Sequence, residues 1–156
     1  MKKNNKGFTL VELIVVLVIL AILAAILVPT LLGYIDRARA EKDYSTAQTV
    51  RVAAQAAIDQ AYGDGVKTTD SNGNAGNVTK IEDMTGTIKG TYSVSGTTET
   101  YGGSGKYAEI VYKLSGVDKS KVTEFSFEYS KGIITSGTVK INGHTYTLSG
   151  SSWSAT

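Results

Sequence analysis

Residues 13–28 are an unbroken run of Leu, Ile, Val and Ala. With Phe8, Leu10, Val11 and the 30–32 segment, the apolar stretch reaches ~25 residues, interrupted by Thr9, Glu12 and Pro29. At ~1.5 Å per residue, a helix of that length crosses the ~30 Å of hydrocarbon in a bilayer. A secretory signal would be shorter and would end on a small-residue cleavage site, and Leu27, Val28, Pro29 and Thr30 make a poor one. The segment is therefore expected to stay with the mature protein. Lys2, Lys3 and Lys6 precede it without an acidic neighbour, whereas the charges of residues 36–43 cancel. The positive-inside rule then puts the amino end in the cytoplasm and the bulk of the chain outside.

Glu12 is the anomaly within this run. A carboxylate at the centre of a membrane helix costs roughly 2.5–3.5 kcal/mol, and less near the end of the span, where it reaches headgroups or water. Two readings stand: an interfacial acid that snorkels, or an acid that awaits a cation from another chain.

Lys6-Gly7-Phe8-Thr9-Leu10-Val11-Glu12-Leu13, abutting the apolar run, resembles the class III signal of type IV pilins and pseudopilins. The motif covers about the first 30 residues, and eight constrained residue types against a membrane span make it a specific one. Several expectations follow from that resemblance. A membrane-embedded prepilin peptidase would cut after Gly7 and methylate the new terminus at Phe8. Glu12 would pair with the amine of a neighbouring subunit's Phe8 in a filament, and Pro29 matches a proline that the family places inside the helix. Many family members carry a glycine about eight residues before that proline; this chain has Ala21, which favours helix by about 1 kcal/mol. Local unwinding between the two positions is therefore not expected here.

Beyond residue 32 the pattern turns amphipathic. Ala47, Val50, Ala54, Ala57 and Ala61 recur at alternating spacings of three and four, one stripe of a helix. Gln48, Arg51, Gln55 and Asp59 are assigned to the opposite side. Arg37 with Glu41, and Arg39 with Asp43, are set to pair at i,i+4. Gly63-Asp64-Gly65 ends the helix, so a single helix over residues 8–62 would run ~80 Å. Half of it can pack on a domain; the other half needs lipid or sister helices.

From residue 63 onward Gly, Thr, Ser and Tyr dominate. Strands are expected at 87–94, 107–114, 123–129, 133–141 and 144–148, with Ile110, Tyr112 and Leu114 on one face and Phe125, Phe127 and Tyr129 on another. Asn142-Gly143 reads as a type I′ hairpin turn, and Lys131-Gly132 as a weaker one. Val139, Ile141, Tyr146 and Leu148 then share a face that would cover the alanine stripe. The fold class is α+β: a long helix laid across an antiparallel sheet. The chain is divided into a leader (1–7), a transmembrane or filament-core helix (8–32), an amphipathic helix (33–62) and a β-sheet domain (63–156) that includes a loop at 63–86.

Sixteen basic against fourteen acidic residues give +2, too little for a strongly basic nucleic-acid binder, so no nucleic-acid partner is expected. The absence of cysteine excludes disulfides and thiolate chemistry. It also fits a cysteine-free branch of the family, Gram-positive or otherwise. His144 is the lone histidine and reads as an edge residue. Asp70-Ser71-Asn72-Gly73-Asn74 begins like a calcium loop, but Ala75 and Ile81 occupy its sixth and twelfth positions. Gly102-Gly103-Ser104-Gly105 is placed before a strand, which argues against a phosphate cradle. Catalysis, cofactor and metal are therefore not expected. The resemblance implies a structural subunit of a surface filament. Its partners would be identical or related pilins, the prepilin peptidase, the membrane before assembly, and a platform protein with its assembly ATPase. A pseudopilin of a secretion or competence system is the alternative.

Overall fold

The computed structural model describes residues 8–66, 68, 78, 80–95 and 97–155. Helix α1 (Leu10–Gly63) accounts for 54 of them. The chain divides into two compact units between Glu41 and Lys42, and each is described by itself.

In the first unit, every side chain of residues 10–32 is exposed. Pro29 lies inside α1 without ending it. Its ring removes the amide that would reach the carbonyl four residues back, and the hydroxyl of the next residue, Thr30, donates to the Leu27 carbonyl at 2.8 Å. Arg39 pairs with Asp36 at 3.7 Å rather than with Asp43. No Arg37–Glu41 pair forms among the described residues.

The second unit holds residues 42–63 of α1 and the rest of the chain. Its strands are β1 (Gly86–Ser95), β2 (Thr98–Gly103), β3 (Val122–Ser130), β4 (Ile133–Ile141), β5 (His144–Ser149) and β6 (Ser152–Ala155). They form one antiparallel sheet in the order β2-β1-β3-β4-β5-β6. The alanine stripe is buried as its spacing requires, joined by Ala53 and Ile58, in one core with Phe125, Phe127, Tyr129, Val139, Ile141, Tyr146 and Leu148. Small helix residues let the backbone approach, so the sheet's large side chains fill the layer. Both hairpins carry the expected paired positive φ values, at Lys131 (52°) and Gly132 (76°) and at Asn142 (53°) and Gly143 (86°).

Three expectations change. Residues 107–114 belong to a helix, α2 (Lys106–Ser115), not a strand. Its buried residues Tyr107, Ala108, Val111 and Tyr112 follow a three-to-four spacing, while Leu114 is exposed. Short apolar runs fit both periods. Here Ala, Glu, Lys and Leu favour helix, Gly116 closes it in the left-handed conformation, and Glu109 pairs with Lys113 at 2.7 Å. Gly90 makes room for α2, since a Cβ there would lie 2.5 Å from the Phe125 ring and 3.1 Å from Ala108.

Second, β2 and β6 were not expected, because polar, glycine-rich edge strands carry little alternation. Trp153 on β6 packs edge-on against Phe127 at 6.3 Å, and its indole donates to Gln48 Oε1 at 3.0 Å. Third, Gln48 and Gln55 therefore do not face away from the sheet. Gln55 clamps the β3–β4 hairpin: its Nε2 donates to the Gly132 carbonyl at 2.6 Å, and its Oε1 accepts from the Ile134 amide at 3.1 Å. Asp43 ties the β4–β5 hairpin, accepting from Asn142 Nδ2 at 3.3 Å and from the Tyr146 hydroxyl at 3.0 Å. Burial and that carboxylate push the Tyr146 phenol up to about 12.

At the far edge of the sheet, Glu99 accepts hydrogen bonds from Lys119 (2.8 Å), Tyr101 (2.8 Å) and Tyr92 (3.0 Å). Lys119, foremost, and then the two phenols pull its carboxyl down from 4.5 to about 2. A carboxyl depressed by folding stabilises above its unfolded pKa, and that contribution is lost as pH falls from about 4.5 towards 2. Titration of the Glu99 side-chain resonance should thus give a midpoint near 2, and a midpoint at 4.5 would show the cluster absent in solution. Gln55→Leu strands a hairpin amide and carbonyl. It should lower stability by about 1–3 kcal/mol, read as a shifted urea midpoint at unchanged slope.

Candidate assembly segment

The amino-terminal residues form a compact hydrogen-bonded turn. Thr9 is the residue before the first turn of α1, and its carbonyl accepts from the Leu13 amide at 3.3 Å. Its hydroxyl accepts from the Glu12 amide at 3.3 Å and donates to Glu12 Oε2 at 2.7 Å. The Thr9 amide donates to the same oxygen at 2.8 Å. This is a capping box, in which a threonine and the glutamate three residues on satisfy each other's polar groups.

The arrangement bears directly on the charge in the apolar run. Its two donors come from the same chain, and they offset part of the desolvation that an isolated carboxylate would suffer in lipid. Among the described residues no basic group pairs with Glu12. Phe8 stands 85% exposed beside this turn. Gly7 lies outside the described residues, and Pro29 sits further along the same exposed helix face-to-solvent stretch. Thr9 is the partner of Glu12 that sequence reasoning missed, although the Thr-x-x-Glu spacing that marks a capping box is present in the sequence.

His144 is exposed at the start of β5, opposite Ile141. No three His, Cys, Asp or Glu side chains converge among the described residues. The span Asp70 to Asn74, with Ala75, lies outside the described residues; Ile81 begins a single 3₁₀ turn, Ile81–Asp83. Gly102-Gly103-Ser104-Gly105 precedes helix α2 rather than a strand, which removes the earlier objection to a phosphate cradle. The residues are nevertheless committed elsewhere. The Ser104 amide donates to the Lys89 carbonyl at 2.8 Å, and its hydroxyl accepts from the Lys89 amide at 3.0 Å. A Cβ on Gly103 would lie 2.4 Å from that same carbonyl oxygen. Among the tyrosines, 107, 112, 129 and 146 are core residues, whereas Tyr34 is 70% exposed.

Replacing Thr9 with Val removes the hydroxyl half of the box at nearly constant volume. Loss of such a cap costs about 1 kcal/mol. The Glu12 amide should then exchange its hydrogen about fivefold faster in detergent micelles, and an unchanged rate would mean that the box does not form.

The family model described as the prokaryotic N-terminal methylation motif matches residues 2–28. A protein named "Fimbrial protein" from Dichelobacter nodosus is 32% identical over 124 residues, covering 80% of this chain and 76% of that one. No solved structure matches. The likeness to the fimbrial protein reaches well past the motif, and it accompanies an exposed apolar helix joined to an antiparallel sheet domain. The chain belongs to the type IV pilin family, whose members are structural subunits and not enzymes.

Proposed function

We propose that this chain is a pilin cut after Gly7, methylated on Phe8 and polymerised into a type IV pilus on the cell surface. One observation carries the reading: residues 10–32 of α1 are almost all apolar yet exposed, while residues 47–61 of the same helix bury a stripe in their own domain. The first stretch has no cover within its own unit, so it requires lipid before assembly and copies of itself afterwards. The relative's description as a fimbrial protein favours a pilus over a pseudopilus.

In this reading residues 1–7 are the leader, 8–32 the anchor and later the filament core, 33–62 the stem, and 63–156 the surface domain. Prepilin peptidase is the processing partner. A platform protein and an assembly ATPase would supply the work of extracting the helix from the cytoplasmic membrane. Cleavage removes three of sixteen basic residues, leaving thirteen against fourteen acidic ones. It also frees an amine on Phe8. A carboxylate and an amine ~4 Å apart attract by about 4 kcal/mol at an effective dielectric near 20, enough to offset much of the desolvation of both. Glu12 of one subunit, facing the Phe8 amine of the next, would thereby set the register of the fibre. Pro29 would let the helix bend within the bundle.

Glu12→Leu should insert and be processed normally, because it only makes the span more apolar. Filament yield in a sheared-cell preparation should fall at least tenfold, roughly the effect of losing 1.4 kcal/mol or more per contact. Mass spectrometry of the mature terminus should still find a methylated Phe8. A wild-type yield of filaments would refute the assigned role of Glu12. An intact leader on the wild-type protein would refute the processing, and short periplasmic fibres in place of long surface ones would identify a pseudopilus.

A further inference from the structure

The β1–β2 hairpin at the edge of the sheet places two phenols on one carboxylate. Tyr92 and Tyr101 are directly opposed in the strand register, with ring centroids 5.7 Å apart and planes tilted by 54°. The Tyr92 hydroxyl donates to Glu99 Oε1 at 3.0 Å, and the Tyr101 hydroxyl donates to Glu99 Oε2 at 2.8 Å. The oxygens of a single carboxylate are close together, so the hydroxyl ends of the two rings converge. The ring carbons beside those hydroxyls lie at the same ends of the two rings. Both tyrosines are half-buried and so still reachable from solvent. Lys119 Nζ joins the same cluster, donating to Glu99 Oε2 at 2.8 Å and to the Tyr101 hydroxyl, with the Tyr92 centroid 5.4 Å away and that of Tyr101 5.1 Å.

Either hydroxyl could have been left to water at so exposed an edge. What the geometry does supply is a proton acceptor in contact with each of two adjacent phenols. Partial burial, and after it the Glu99 carboxylate, raise the Tyr92 pKa, so this phenol is neutral at pH 7 and must release a proton as it loses an electron.

We propose that Tyr92 and Tyr101 are a site of oxidative cross-linking, joined as a dityrosine across the β1–β2 hairpin by a peroxidase-type one-electron oxidant. Each phenol gives one electron to the oxidant and its hydroxyl proton to Glu99 or to water. The two radicals couple at the carbons next to their hydroxyls. Each of those carbons then sheds its hydrogen as a proton, and both hydroxyls are restored. One carbon–carbon bond forms and two carbon–hydrogen bonds break. The two electrons and two protons reduce one hydrogen peroxide to two waters. The product is a covalent staple on an edge strand, in a chain that has no cysteine for a disulfide.

The sequence supplies its own assay. Lys89 and Lys106 flank both tyrosines without an intervening Lys or Arg, so trypsin releases them in one peptide, residues 90–106. The full-length chain in detergent would be treated with horseradish peroxidase and limiting hydrogen peroxide, then digested. The expected result is peptide 90–106 lighter by two hydrogens and fluorescent as dityrosine, formed before dimers through the exposed Tyr34. Tyr92→Phe and Tyr101→Phe should each abolish that product. Glu99→Gln should slow it by roughly tenfold, less than the full contribution of a positioned base because water also takes protons. Tyr34 dimers accumulating while peptide 90–106 keeps its mass would overturn the proposal. An undiminished rate in Glu99→Gln would overturn the part assigned to the carboxylate.

Discussion

The central constraint is a mismatch within one helix. The backbone of α1 makes its hydrogen bonds within the helix, save at the ends and at Pro29, but its side chains are satisfied over only part of its length. Residues 47–61 find cover in a sheet, whereas residues 10–32 find none. A single chain in water would hold that apolar surface exposed along several turns, which is an unfavourable state. Lipid relieves it, and so does self-association. The family's two lives, first as a membrane protein and then as a fibre, are the two solutions to one solvation problem.

Glu12 must be tolerated in both environments, and its contacts suggest how a charge manages this. The carboxylate is already held by the amide and hydroxyl of Thr9. Those donors travel with it, so they are present in lipid as well as in any later assembly. An approaching amine would then strengthen a network that exists beforehand rather than rescue a bare ion.

Legibility in the sequence followed the strength of the local signal. The span, its anomalous acid, the alanine stripe and the hairpin turns at Lys131-Gly132 and Asn142-Gly143 could be read because each rests on a sharp local rule: length, charge, helical period, or paired positive φ at Asn-Gly and Lys-Gly. Residues 107–114 are misread as a strand because Ile110, Tyr112 and Leu114 alternate, although the buried set Tyr107, Ala108, Val111 and Tyr112 follows a helical period. Helix-favouring Ala, Glu, Lys and Leu, the Gly116 cap and the Glu109–Lys113 pair decide for the helix, and the absence of a side chain at Gly90 leaves room for Phe125 and for Ala108 of α2. Strands β2 and β6 escaped notice because an edge strand needs only one partner and can be almost wholly polar. Gln48 and Gln55 looked solvated because a helical wheel says nothing of how far a long side chain reaches. In the candidate assembly segment, the types and spacing of Gly7, Phe8, Glu12 and Pro29 were plain and so was the Thr-x-x-Glu spacing; only the meeting of both Thr9 donors on one Glu12 oxygen needed coordinates.

The polar ties between α1 and the sheet have a mechanical meaning. Asp43, Gln48 and Gln55 bind the β4–β5 hairpin, strand β6 and the β3–β4 hairpin in turn, over ~18 Å of helix. Tension along the helix axis meets these anchors side by side rather than one after another. Slippage then demands that all three give way together while the interlocked layer of alanines and aromatics shears. A domain fastened in this manner resists being dragged off its stalk far better than it would resist being peeled from one end.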